Sequence, residues 1–521
     1  MGGQIKDYEG KGISGSLSED LAAFRAIFAR DSVLRVREFH SGGDVDADCA
    51  ALYFDGMVNA ALINDSIIKP MVGLGVLPPE IGADGGKGDN GGAGVSLAER
   101  IERRVLYSNE AAVTEDLAEM LRGMLYGDTL LLIDGCRRAL VLNTKGWKTR
   151  GISEPADERI LEGPREGFEE AVMMNLALLR RKLQTPDLCT EFLRIGRRTD
   201  TKVCICYLGS IVSEKVLGEL KKRLRGIDID GIFDTNYVSE LTTDRKFSLF
   251  RSAGSTERPD VVAARLLEGR VAVMCDGSPM VITLPYLFSE NFQSDEDYYQ
   301  NFLTASVGRL LRYVCFFIAV MIPAVYVALT LYHRRLLPTP LLLSVSAARE
   351  GVPFSTAAEC FLLIIVFEIL KEAGVRTQQS LGQALSIVGG LVVGSAAVEA
   401  KIVSAPMLII VALSGIAGLM IPRLRSAVFY LRIIFVLSAC FFGLFGVMTL
   451  LFALVGRISS LTSFGVDSTP ALGDPSGQNL KDTAVRAHLS FMRLRPAFNK
   501  NKRRMRNEDI RRAENGEEEQ A

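Results

Sequence analysis

The sequence predicts an α/β cytoplasmic domain of two similar subdomains followed by a C-terminal α-helical transmembrane bundle. Three observations predict it. Residues 1–300 have the mixed composition of a soluble protein, whereas residues 310–455 concentrate long apolar runs that no water-soluble core requires. Within the aqueous half, one arrangement of strands, helix and Asp-Gly turn occurs twice. A chain of 521 residues also exceeds what one core can organise, so several folding units are expected.

The elements follow in order. Residues 1–30 are rich in Gly and Ser and read as a flexible N-terminus; they hold no apolar core of signal-peptide length, which places the aqueous half in the cytoplasm. The first subdomain, residues 31–160, has apolar strands at 50–54, 129–133 and 139–142, the last two joined by Asp134-Gly135. The second, residues 161–300, repeats the pattern with strands at 203–207, 271–274 and 280–284 and the turn Asp276-Gly277. These Asp-Gly pairs, with Asp55-Gly56, are tight-turn chemistry and not catalytic carboxylates.

A Gly-rich insertion at 82–94 contains Gly86-Lys87, but Gly82 and Gly86 are too close for a phosphate loop and Gly88 follows the lysine. A helix joining the subdomains opens at Gly163-Pro164 and carries Phe168, Val172, Leu176, Leu179 and Leu183 on one face. Arg180 and Arg181, near its C-terminal end, are candidates for docking another subunit.

The formal net charge of −1 excludes a general nucleic-acid binder. The nine cysteines form no CxxC pair and His40, His333 and His488 are far apart, so no metal site and no cofactor is expected. A domain without a recognisable nucleophile, metal set or phosphate loop reads as a scaffold and not an enzyme.

In the bundle, residues 308–456, the first span covers 310–331, with Arg309 and Arg312 at its entry and Pro323 expected to kink it. Residues 356–370 are short and acidic, which predicts a re-entrant or interior-facing helix. A further segment places Ser386, Gly390 and Gly394 at four-residue spacing, a face that lets helix backbones approach closely. Residues 407–421 and 427–455 complete a set of about four spans plus a re-entrant or fifth segment. Carboxylates in such runs must face water or a partner, which makes Glu359, Glu368 and, more weakly, Glu399 candidates for an ion path. The tail, residues 457–521, turns basic from Arg493 to Arg512 before Glu517, Glu518 and Glu519; a basic tail predicts the cytoplasmic side and an even number of crossings.

Local strings distributed from Tyr53 to Arg486 give the chain a resemblance to a known family. They include Gly163-Pro164-Arg165-Glu166, Arg258-Pro259-Asp260-Val261-Val262, Glu268-Gly269-Arg270 and Asp276-Gly277-Ser278-Pro279. In the bundle they include Pro323-Ala324-Val325-Tyr326, Phe367-Glu368-Ile369-Leu370-Lys371-Glu372, Ala396-Ala397-Val398-Glu399-Ala400 and Ser463-Phe464-Gly465-Val466. The chain resembles the A subunits of the GerA family of spore germination proteins. It departs from that pattern at Ser355, at 377–380 and at Asp467-Ser468, and in the 82–94 insertion.

The resemblance implies an integral subunit of a nutrient germinant receptor in the inner membrane of a bacterial endospore. Its implied partners are a transporter-like B subunit, a lipoprotein C subunit, membrane lipid and further copies of itself. It implies a nutrient-gated channel whose opening releases monovalent cations and triggers germination. Two alternatives stand beside it: the stage V sporulation AF branch, which amplifies germination without sensing nutrients, and another cation channel or transporter with a cytoplasmic regulatory domain. A divalent-cation channel of one such type would show a Gly-Met-Asn loop, which this sequence lacks.

Overall fold

The computed structural model describes residues 4–42, 47–72, 111–146, 162–376, 394–470, 481–492 and 494–496, with residues 155, 158 and 160. The 82–94 stretch, Ser386, Gly390 and the tail beyond residue 496 lie outside the described residues.

Each repeat opens with a helix. In the first, α1 (Leu17–Ile27) precedes the hairpin β1 (Leu34–Ser41) and β2 (Ala47–Phe54), a short helical run over 60–72, β3 (Ala111–Thr114), α2 (Leu117–Tyr126), and the pair β4 (Thr129–Ile133) and β5 (Ala139–Leu142). In the second, α3 (Val172–Lys182) precedes β6 (Leu188–Ile195), β7 (Thr201–Leu208), α4 (Glu214–Arg225), α5 (Thr235–Thr242), β8 (Gly254–Thr256), α6 (Pro259–Leu267), β9 (Val271–Cys275) and β10 (Val281–Leu284). The strand orders match, β1-β2-β4-β5-β3 and β6-β7-β9-β10-β8, with antiparallel pairing between every neighbouring pair of strands.

The turn chemistry also repeats. Gly135 and Gly277 have φ of 78° and 89°, the left-handed region that glycine occupies without strain. The preceding aspartates each reach the first turn of the repeat's opening helix: Leu17 N–H donates to Asp134 Oδ1 at 2.9 Å, and Val172 N–H donates to Asp276 Oδ1 at 3.1 Å. A carboxylate there satisfies a backbone donor that helix geometry leaves open and opposes the positive end of the helix dipole. The N-terminal thirty residues are therefore not simply a flexible lead; α1 packs Leu21 and Phe24 into the core.

Both sheets are buried on both faces, so the central strands are apolar throughout and period 2 distributes them between cores. Ala50, Leu52 and Phe54 of β2 and Cys204 and Cys206 of β7 face a shared core with α1, α2, α3 and α6. Cys49, Leu131 and Ile133 face the run over 60–72, while Val203, Ile205 and Tyr207 face α4 and α5.

The C-terminal region is helical: α7 (Phe302–Leu331), α8 (Thr339–Ala348), α9 (Thr356–Arg376), α10 (Ala405–Leu419) and α11 (Arg425–Ser459). Among the described residues, two stretches, Phe302–Leu331 and Pro422–Ser459, have the length and composition to cross a membrane. Phe441, Phe445 and Phe452 are each more than 70 % exposed, an outward apolar surface suited to lipid and costly in water.

One expectation changes here. Residues 427–455 do not form one span, because Gly443 has φ 62° and ψ −145°. A Cβ on Gly446 would lie 2.6 Å from Ser438 Oγ and 2.7 Å from the Ser438 carbonyl, whereas eight residues of unbroken helix span about 12 Å. The chain reverses at Gly443, where the Tyr332 hydroxyl donates to the Cys440 carbonyl at 2.5 Å beside the distal end of α7. Residues 356–370, expected as a re-entrant or interior-facing helix, lie within a continuous 21-residue helix. The two carboxylates within 356–370 both have partners: Ser404 for Glu359 and Lys371 for Glu368.

Candidate functional site at the foot of the bundle

The chain passes from β10 into the bundle through two 3-10 turns, Phe288–Phe292 and Asp295–Tyr298, and Asn301 starts α7 by accepting the Leu303 N–H at 2.9 Å. Aromatic rings make this passage continuous. Phe250 meets Phe288 edge to face at 5.3 Å, Phe288 meets Phe292 at 5.7 Å, and Phe292 stacks on Tyr313 of α7 at 4.0 Å. Apolar packing thus runs unbroken from the second repeat into the helices.

Around that stack lies a network of buried charge. Asp297 receives Arg309 Nε at 2.8 Å and Arg312 at 3.0 Å, residues one helical turn apart on α7. Arg309 continues to Asp482 at 2.8 Å, and the Tyr298 hydroxyl donates to the same carboxylate at 2.8 Å. Arg486 donates to the Gln300 carbonyl at 2.7 Å, and Arg423, ahead of α11, donates to Asp295 at 3.0 Å. Arg270 pairs with Glu290 at 2.5 Å and Glu268 at 3.0 Å. Buried pairs of this kind contribute little net stability, but removing one partner strands the other and costs about 3–5 kcal/mol.

Burial sets the titration behaviour here. It pushes the Asp482 carboxyl up despite the adjacent Arg309 guanidinium, and pushes Glu158 up with help from nearby Asp295. Burial beside Arg270 brings Arg265 down to about 10, although Arg265 also faces Glu290. The guanidinium stays charged at neutral pH.

A second attachment follows α11. Thr462–Ser463 (β11) and Val466–Asp467 (β12) form a small hairpin whose Phe464 inserts into the outer core of the second repeat. Phe464 lies under the Arg223 guanidinium at 4.6 Å, and its N–H donates to Asp244 at 2.9 Å. Ser463 Oγ donates to the Ser252 carbonyl at 2.6 Å and accepts from Tyr286 N–H at 3.0 Å. The two attachments flank a cavity of about 830 Å³, walled by Tyr313, Phe316, Leu451 and Leu454 and bordered by Arg265 and Asp482.

The candidate ion-path carboxylates are not brought together. Glu359 is fully buried at the distal end of α9, accepting from both the N–H and the hydroxyl of Ser404, with Arg349 at 3.9 Å. Glu368, about 14 Å further along the helix by its rise, is half-buried and takes Lys371 at 3.0 Å. Glu399 is exposed. Gly394 packs toward Leu408 of α10, and the rest of its small-residue face lies outside the described residues.

Arg180 is not at a surface. It is 2 % exposed, pairs with Asp31 at 2.5 Å and stacks over Phe54 at 4.1 Å, joining the two repeats. Arg181 is half-buried beside Glu166, so of the two candidates it alone reaches the surface.

Sequence reasoning missed Asp297, Asp482, Phe464 and Arg432. Arg432 had a visible signal as the one charge in residues 427–455. It is buried mid-bundle, donating to the Ala319 carbonyl at 2.9 Å and the Ser414 carbonyl at 3.1 Å, and so ties α11 to α7 and α10.

A two-repeat α/β domain attached at two places to an apolar helical bundle defines a domain–bundle coupler, and comparison with known proteins places it. Residues 22–498 match the family described as "Bacillus/Clostridium GerA spore germination protein". The chain is 37 % identical over 476 residues to "Spore germination protein KA" of Bacillus subtilis (strain 168), covering 91 % of this chain and 85 % of that one. It is 36 % identical over 502 residues to "Uncharacterized membrane protein YfkQ" of the same strain, covering 95 % and 93 %. It is 33 % identical over 461 residues to "Spore germination protein B1", again of that strain, covering 88 % and 92 %. A similar solved structure is the N-terminal domain of the A subunit of the Bacillus megaterium spore germinant receptor GerK3, with 28 % identity, TM-score 0.38, and coverage of 53 % of this chain and 98 % of that one. The chain belongs to the GerA family of spore germination proteins.

Proposed function

We propose that this chain is the membrane-embedded A subunit of a nutrient germinant receptor, and that its bundle conducts monovalent cations as a homo-oligomer. Its partners in this reading are a transporter-like B subunit and a lipoprotein C subunit, in the inner membrane of the endospore with the repeats on the core side. The observation that carries the reading is the double attachment: the segment leading into α7 and the hairpin following α11 are both fixed to the second repeat. Movement of that repeat reaches the first and the last helix of the bundle at once.

Arg432 bears on where the ions pass. A guanidinium held in the packed interior of one copy repels cations in a low-dielectric setting, which favours a path between copies. Of the three carboxylates, Glu368 combines partial exposure with a place inside the bundle, and it is proposed to border that path.

Purified full-length chain in potassium-loaded vesicles tests the reading. Cation efflux is expected, reduced or altered in selectivity by Glu368→Gln without loss of assembly. Absence of any efflux from correctly assembled wild-type oligomers, alone or with the partner subunits, overturns the channel assignment.

A further inference from the structure

The loop between α5 and β8 has no role in the coupling just described beyond its anchors, yet it displays an unusual surface. Its neck is closed by a hydrogen bond between the Thr243 and Ser252 hydroxyls at 2.8 Å. Asp244 is held by Arg223, and Phe250 is buried among the bundle's apolar residues. Between these anchors Phe247 is 97 % exposed and Leu249 is exposed, as is Leu241 at the end of α5. Lys246 and Arg251 are exposed, and Arg245 donates to the Ser460 carbonyl at the end of α11 at 3.1 Å. An anchored loop thus presents an aromatic tip, aliphatic neighbours and a basic collar at the level where the last helix leaves the bundle.

We propose that residues 241–251 are a membrane-surface contact, with Phe247 and Leu249 entering the headgroup layer and Lys246 and Arg251 facing anionic phospholipid. Aromatic rings favour that layer because one side of it is apolar and the other wet, and cations close to it gain from the negative surface potential. Pairing with a second copy fits less well, since a symmetric contact would set this basic collar against itself. The contact rests on the membrane reading of the bundle and adds a third point at which the second repeat is positioned against the bilayer.

The test uses full-length protein in nanodiscs of phosphatidylglycerol and phosphatidylcholine, with Trp147, the single tryptophan of the chain, replaced by Phe. Tryptophan is then placed at Phe247, at Phe452 on the outer face of the bundle, or at Tyr126 in the first repeat. Phe247→Trp is expected to emit to the blue and lose most of its intensity when the lipids carry bromine near the headgroup end of their chains. Tyr126→Trp is expected to lose none. Lys246→Glu with Arg251→Glu is expected to reduce the quenching in phosphatidylglycerol discs toward the level in phosphatidylcholine alone. Quenching at Phe452→Trp without quenching at Phe247→Trp overturns the proposal and leaves the bundle in the bilayer. Quenching at neither position overturns both readings, and a blue shift that depends on having two copies per disc, without bromine quenching, assigns the loop to a second copy.

Discussion

The two repeats share a strand order, an opening helix and an Asp-Gly turn that reaches back to that helix, yet they differ in what covers their outer faces. The outer face of the first sheet is closed by the helical run over residues 60–72, within the repeat itself. The outer face of the second is closed by α4, α5 and Phe464, the last arriving from beyond the bundle. The same frame therefore serves as a self-contained unit in one position and as a docking station in the other. The shared core ties the two repeats together, and in the proposed coupling the first repeat serves as a brace for the second.

The joint between the repeats should give the largest effect. Asp31→Ala leaves Arg180 buried without its carboxylate, and a loss of about 3–5 kcal/mol in the denaturant stability of the detergent-solubilised chain is expected. A loss below about 1 kcal/mol would mean that the repeats are not locked together at this pair.

The turn aspartates sharpen the comparison. Asp134→Ala and Asp276→Ala each remove an acceptor from the first turn of an opening helix, for an expected loss of about 1 kcal/mol apiece. Similar stability losses with a germination defect confined to Asp276→Ala would separate brace from transmitter. Equal germination defects would erase that division.

The smallest expected effect is a pH dependence specific to the second repeat. Burial raises the Asp187 carboxyl, and the Ser210 hydroxyl and N–H only partly oppose this. A carboxyl whose native pKa is raised contributes stability that is complete below the ordinary value near 4 and lost as pH rises through the raised native value. Asp187→Asn is expected to remove that slope from thermal unfolding measured between acid and neutral pH, and an unchanged slope would assign it to another group.

Much of the repeat was legible because its signals are local. Asp134-Gly135 and Asp276-Gly277 specify their turns within a few residues, and continuous apolar runs mark strands buried on both faces. Helix α1 was hidden by the Gly- and Ser-rich stretch around it, although Leu21, Phe24 and Phe28 carry helical spacing into the core. The reversal at Gly443 was hidden for the opposite reason, since glycine within an apolar run reads equally as a packing residue inside one helix. The foot network was not legible at all: Asp482 and Arg309 are 173 positions apart, and only the fold brings them together.

The central claim is that the second repeat drives the bundle through its attachments, and the hairpin gives the most direct measurement. Phe464→Ala empties its place under Arg223 without touching either long helix. Spores carrying this chain at wild-type membrane abundance should show strongly reduced germinant-triggered potassium release, while an alanine at exposed Phe233, on the same repeat, should leave it intact. Wild-type release kinetics from the Phe464→Ala spores would contradict the account, because the bundle would then open without its attachment to the repeat.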